Sequence, residues 1–150
     1  MNKIAHAPRK WPSRLVLVAA AIAMISGAES CKEPVGVIPY VEVNVDLNTL
    51  LPAYNSLQFP GNWVYVSGGS RGLIVYRYTL DEFVVFDRHS PYDVGAACQC
   101  KVLSDGYTIE DPCSDSQWYI FDGSIIAGPT TAPLERYNTN WISPVLSITN

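Results

Sequence analysis

Apolar and polar residues alternate in short runs along this chain, and no window carries a helical period. Val37 to Val45 (VIPYVEVNV) alternates and is rich in Val, which predicts a strand, and Pro39 within it predicts an edge position. Leu47 to Pro52 reads as a turn, and Tyr54 to Phe59 as irregular or a brief strand. From Phe59-Pro60-Gly61 onward the punctuation becomes regular. Strands are predicted at Trp63–Val66, Leu73–Tyr78, Phe83–Phe86, Val102-Leu103, Tyr107–Ile109, Trp118–Phe121, Ser124–Ala127, Leu134–Tyr137 and Val145–Ile148. Ser67 to Gly72 and Thr79 to Glu82 separate the early ones, and Asp105-Gly106 and Asp122-Gly123 are strong hairpin signals. Short strands with turn signals roughly every 8–12 residues predict an all-β fold, a small sandwich or partly open barrel of short antiparallel strands. Most aromatic residues fall inside these strands and are expected in the core or on sheet faces.

The N-terminal pattern is different. Lys3, Arg9, Lys10 and Arg14 precede an unbroken apolar run from Leu15 to Ile25, followed by the small residues Ser26-Gly27-Ala28. This is the build of a secretory signal over residues 1–30, and 11 apolar residues fall short of the roughly 20 that a membrane-spanning helix needs. Cys31 directly behind it suggests a bacterial lipoprotein lipidated at Cys31, with residues 31–36 as a tether and 37–150 as the folded domain. Glu29 and Ala28 fit a lipobox poorly, and Ala28 with Ser30 also satisfies ordinary cleavage before Cys31. Lipidation would hold the domain at a membrane surface, in the bacterial periplasm or on the cell surface.

Charge narrows the partners. The chain has ten Lys/Arg and fourteen Asp/Glu; removing the four Lys/Arg and one Glu of residues 1–30 leaves six against thirteen, a net charge of −7. No basic cluster follows Lys32, so nucleic acid is not an expected partner, whereas a membrane through the anchor and an envelope protein are.

Four cysteines are present, Cys31, Cys98, Cys100 and Cys113. With Cys31 lipidated, three remain in an oxidising compartment, which predicts one disulfide and one free thiol. Cys113 can pair with Cys98 or with Cys100; Cys98 and Cys100, at i and i+2, rarely reach bridging geometry. A metal site on Cys98, Cys100 and Cys113 lacks a partner at zinc spacing. Ser90 beside His89 is a poor nucleophile–base pair, because adjacent side chains diverge on an extended chain. Asp105, Glu110, Asp111, Asp115 and Asp122 read as a solvated acidic rim without calcium-loop spacing, and Ser67 to Gly72 lacks the Lys-Ser/Thr of a phosphate loop.

The order of elements from Gly61 to Tyr137 resembles the Rieske iron–sulfur domain. Gly123 followed by Gly128-Pro129-x-x-Ala132-Pro133-Leu134-x-x-Tyr137 is similar to the family's exit pattern, and Phe83 to Arg88 is similar to the strand that enters its first cluster loop. The resemblance implies a [2Fe–2S] cluster held by two Cys and two His, one of each from two loops. At the matching positions this chain has Ser90 and Tyr92 in the first loop, and Cys113 and Ser116 in the second, so one ligand of four survives. Ser and Tyr are much poorer soft-metal ligands than Cys and His. The expectation is therefore a Rieske-like scaffold without a cluster or other cofactor, acting as a binding or structural module rather than an enzyme. On this scaffold the disulfide of Cys113 with Cys98 or Cys100 would take over the task of joining the two loops. Tyr92, Trp118 and the Cys113 loop would form any partner surface. The competing expectations are an electron-transfer protein with an altered iron–sulfur or other metal site on His89, Cys98, Cys100 and Cys113, and a thiol-reactive domain using the odd cysteine.

Overall fold

The computed structural model describes residues 36–150. The signal at 1–30, Cys31 and the tether up to residue 35 lie outside the described residues. Ten strands, β1 (Asn44–Asn48), β2 (Trp63–Val66), β3 (Leu73–Arg77), β4 (Phe83–Asp87), β5 (Lys101–Val102), β6 (Thr108–Glu110), β7 (Gln117–Tyr119), β8 (Ile125–Ala127), β9 (Arg136–Ile142) and β10 (Val145–Thr149), make the all-β fold that the alternation predicts. They form two antiparallel sheets, one in the order β1-β10-β9-β4-β3-β2 and one in the order β5-β6-β7-β8. Among the described residues no helix is long and apolar enough to cross a membrane.

The two central runs, LIVYR in β3 and FVVFD in β4, are apolar at nearly every position because both of their faces are covered. On one face Leu73, Val75, Phe83 and Val85 share a cluster with Leu47, Leu57, Tyr137, Leu146 and Ile148. Strands β10 and β3 are three ladders apart, about 14 Å on a flat sheet. Their side chains meet in one cluster, so the six-stranded sheet wraps around it. On the other face Ile74, Val84 and Phe86 pack against Ile109, Trp118 and Ile120 of the small sheet, with Cys100 and Leu134.

The start of the domain departs from the expected strand at Val37–Val45, since the ladder begins only at Asn44 and continues through Leu47 and Asn48, where a turn was expected. Pro39 has no amide hydrogen to give. The backbone beyond it is tied by a side chain instead, with Val43 N donating to Asn150 Oδ1 (3.0 Å) and Asn150 Nδ2 donating to Val41 O (2.9 Å). Pro52 to Gln58 is a 3-10 helix, where an irregular segment or a brief strand was expected over Tyr54–Phe59, opened by Pro52 and anchored by the buried Leu57.

Candidate functional site

Strand β4 delivers the first half of the site. Its period of two puts Phe83, Val85 and Asp87 on the same interior face, so the strand ends on a fully buried carboxylate. Asp87 survives there because four donors surround it. Oδ2 accepts from Ser70 N (2.6 Å) and the Tyr137 hydroxyl (2.9 Å), and Oδ1 accepts from His89 N (2.7 Å) and Arg71 N (3.1 Å). The Gly-rich turn at 67–72 is thus a cradle for an anion that the chain itself supplies. Gly69, at φ +60°, has to be glycine, because a Cβ would collide with Asp87 Oδ2.

Beyond Asp87 the chain leaves the sheet as a loop from His89 to Gln99, closed by Ser90 N donating to Cys98 O (3.0 Å) and Cys100 N donating to Arg88 O (2.6 Å). His89 is buried with both ring nitrogens engaged. Nε2 faces the carbonyl of Val94 (3.0 Å), an acceptor only, so Nε2 carries the proton, and Nδ1 lies 2.7 Å from Ser70 Oγ. The serine paired with His89 is therefore Ser70. The Ser70 and Arg71 amides are spent on Asp87, so this turn offers no such pair of donors to an oxyanion.

The second half lies between β6 and β7. Asp111, 1% exposed, accepts from Cys113 N (2.9 Å) at Oδ1 and from the hydroxyls of Ser90 and Ser114 (2.7 Å each) at Oδ2. Ser114 Oγ lies 2.8 Å from Ser116 Oγ, which is fully buried. One network thus runs from the first loop through Asp111 to the far end of the second. Gly128 of the exit loop, at φ +94°, sits so close that a Cβ would run into Ser116 Cα. A disulfide joins Cys98 to Cys113 (Cα–Cα 6.3 Å) and resolves the choice the sequence leaves open.

The structure brings Ser90, Cys113 and Ser116 together around Asp111, while Tyr92, 38% exposed, stands at the rim. It does not bring His89, Cys98, Cys100 and Cys113 to one point. Among the described residues the group of candidate ligands is instead Cys98, Asp111 and Cys113, two of them joined in the disulfide. Two expectations are corrected. Trp118 is no surface residue; it is fully buried, and its Nε1 donates to Ala132 O (2.9 Å). Asp111 is no part of a solvated rim, unlike Asp105, whose carboxyl is held below the ordinary range by hydrogen bonds from Thr108 and then Tyr107.

Among the described residues the odd thiol is Cys100, fully buried between the sheets. Burial first, then the Asp111 carboxylate, push it from 9.0 up to about 12, which removes the nucleophilic thiolate that a thiol-reactive domain requires. The folded chain holds this proton more tightly than the unfolded one. Its contribution to stability is therefore complete below pH 9 and is lost as pH climbs from 9 toward 12. Urea midpoints between pH 8 and 11 should fall with rising pH in the native chain and fall less in Cys100→Ala. Iodoacetamide at pH 8 should label Cys100 only after unfolding.

No family model and no curated protein matches this chain. Among solved structures it is similar to a chain of the complex of reduced oxygenase and oxidized ferredoxin in carbazole 1,9a-dioxygenase, at 18% identity and TM-score 0.48, covering 72% of this chain and 92% of that one. It is also similar to the ferredoxin of carbazole 1,9a-dioxygenase from Nocardioides aromaticivorans IC177 (14% identity, TM-score 0.47, 73% and 98% covered). A third similarity is to the E. coli protein NirD (13% identity, TM-score 0.40, 61% and 86% covered).

Proposed function

We propose that this chain is an exported, lipid-anchored envelope protein whose Rieske-like domain has given up its [2Fe–2S] cluster and works as a binding or structural module. The observation that carries the reading is the donor set at the cluster positions. Ser90 and Ser116 are buried hydroxyls committed to the Asp111 network, Tyr92 is a phenol, and the remaining cysteine, Cys113, is bonded to Cys98. These residues do not fit an iron–sulfur cluster, which takes thiolate and imidazole donors. The two loops are joined by hydroxyl–carboxylate hydrogen bonds and a covalent bridge, which supports this reading. The anchor reading rests on the apolar run Leu15–Ile25 and Cys31.

Metal analysis and visible spectroscopy of the full chain, purified in detergent from an oxidising compartment, test the reading. The expected result is a colourless protein with less than about 0.1 iron per chain, against the two irons of a filled Rieske centre. Stoichiometric iron with visible absorption would overturn it and restore electron transfer as the function. Labelling with a radioactive fatty acid tests the anchor, and Cys31→Ala should abolish incorporation.

A further inference from the structure

The turn that cradles Asp87 has an outer side. There it forms one wall of an open groove of about 530 Å³, lined by Tyr65, Ser70, Arg71, Gly72, Arg88 and Gln99 among others. The charges on this lining are two arginines, with no carboxylate, on a chain that is strongly acidic elsewhere. We propose that this groove binds a small dianionic oxyanion of the phosphate class.

The other cations of the described residues are spoken for. Arg77 is buried, donating to the carbonyls of Leu57, Thr79 and Leu80 and lying over the rings of Phe83 and Trp141. Lys101 pairs with Glu110 at 3.3 Å. Arg136 lines a different groove together with Asp81, Glu82 and Asp122. Among the described residues Arg71 and Arg88 have no carboxylate within ion-pair distance.

Arg88 is also held in place. Its guanidinium lies 3.7 Å from the centre of the Tyr65 ring, and Nε donates to Cys100 O (2.9 Å). That leaves its two terminal nitrogens as an unused fork, the geometry that takes two oxygens of one anion. Gln99 Nε2 donates to Arg71 O (2.6 Å) and fixes the backbone from which the second guanidinium reaches. Ser70, on the same wall, gives its one hydroxyl hydrogen to His89 Nδ1, so the two guanidiniums are the donors left for the anion. The amides of Ser70 and Arg71 are occupied by Asp87, so the ligand is held by side chains and not by a phosphate-loop backbone. Two guanidiniums exceed the charge of a single carboxylate, which favours a dianion. Partial neutralisation by the buried Asp87 behind the turn limits the affinity. None of these residues is one of the cluster positions Ser90, Tyr92, Cys113 and Ser116, although Gln99 closes the first loop.

Calorimetric titration of the full chain with inorganic phosphate at low ionic strength tests it. Saturable binding is expected, weakened about tenfold by Arg88→Gln and by Arg71→Gln, lost in the double variant and unchanged in Arg136→Gln. Acetate should bind at least tenfold more weakly than phosphate. Arg71 is exposed, so its variant keeps the test valid if Arg88→Gln fails to fold. Absence of phosphate binding by the native chain, or binding undiminished in Arg71→Gln, would overturn the proposal.

Discussion

Replacing Asp87 with alanine is expected to cost about 3–5 kcal/mol, the largest loss from any single polar side chain of the domain. The carboxylate is fully buried and receives the Ser70, Arg71 and His89 amides and the Tyr137 hydroxyl. Its removal leaves four donors facing one another across a void that Gly69 cannot fill. Each unsatisfied donor costs on the order of 1 kcal/mol or more, and water entering the void recovers part of that. Asp87→Asn keeps the volume but turns an NH₂ group toward a pair of donors, so about 2–3 kcal/mol is expected from it. Tyr137→Phe removes one donor and spares the charge, at about 1–2 kcal/mol. Thermal and urea midpoints of the three variants should rank in that order. An alanine variant as stable as the native chain would mean that the cradle is incidental to the fold. Because the Asp87 cradle joins β4 to the 67–72 turn and to β9, the alanine variant should also speed amide exchange at Ser70 and Arg71 well before global unfolding.

That this residue organises the centre is hard to read from the sequence. Period-two alternation places Phe83 and Val85 inward and predicts an apolar residue at position 87, and nothing local shows that a turn seventeen residues earlier supplies the donors. The signal that is present is the pair Gly68-Gly69, since glycines in a turn mark a backbone that approaches something closely. Strands β2 to β8 and β10 were legible because each is short, alternating or doubly covered, and bounded by Gly, Pro or Asp-Gly turns, whereas β9, expected at Leu134–Tyr137, runs from Arg136 to Ile142. The strand at 37–45 misled because its Val content is real, whereas its pairing depends on the Asn150 side chain more than a hundred residues away. The cysteine pairing was narrowed to two choices by spacing, and three-dimensional closure of the loop decided between them. Trp118 was misplaced because its neighbours in the polar Cys113 loop suggested a tip. The residue sits one step into β7, facing the seam between the sheets.

Reduction of the Cys98–Cys113 bridge, or Cys113→Ser, is expected to cost about 3 kcal/mol, the chain-entropy value for two cysteines separated by 15 residues. Cys100 cannot substitute, because it points into the core and stands only two residues from Cys98. The chain should nonetheless remain folded when reduced, since Ser90, Asp111, Ser114 and Ser116 still join the loops by buried hydrogen bonds. Two ties on one pair of loops make the energies interdependent. With the bridge intact, Ser90→Ala is held in register and should cost about 1–2 kcal/mol, the deficit of a buried carboxylate short of one donor. With the bridge reduced, the loops can part and let water reach Asp111, so the same substitution should cost less. The two losses would then sum to less than their separate values, by 0.5 kcal/mol or more. Urea denaturation of native and Ser90→Ala chains, each oxidised and reduced, measures all four corners. A midpoint unmoved by reduction would show that the hydroxyl network alone fixes the loops, and strict additivity would show that the bridge and the network stabilise different parts of the domain.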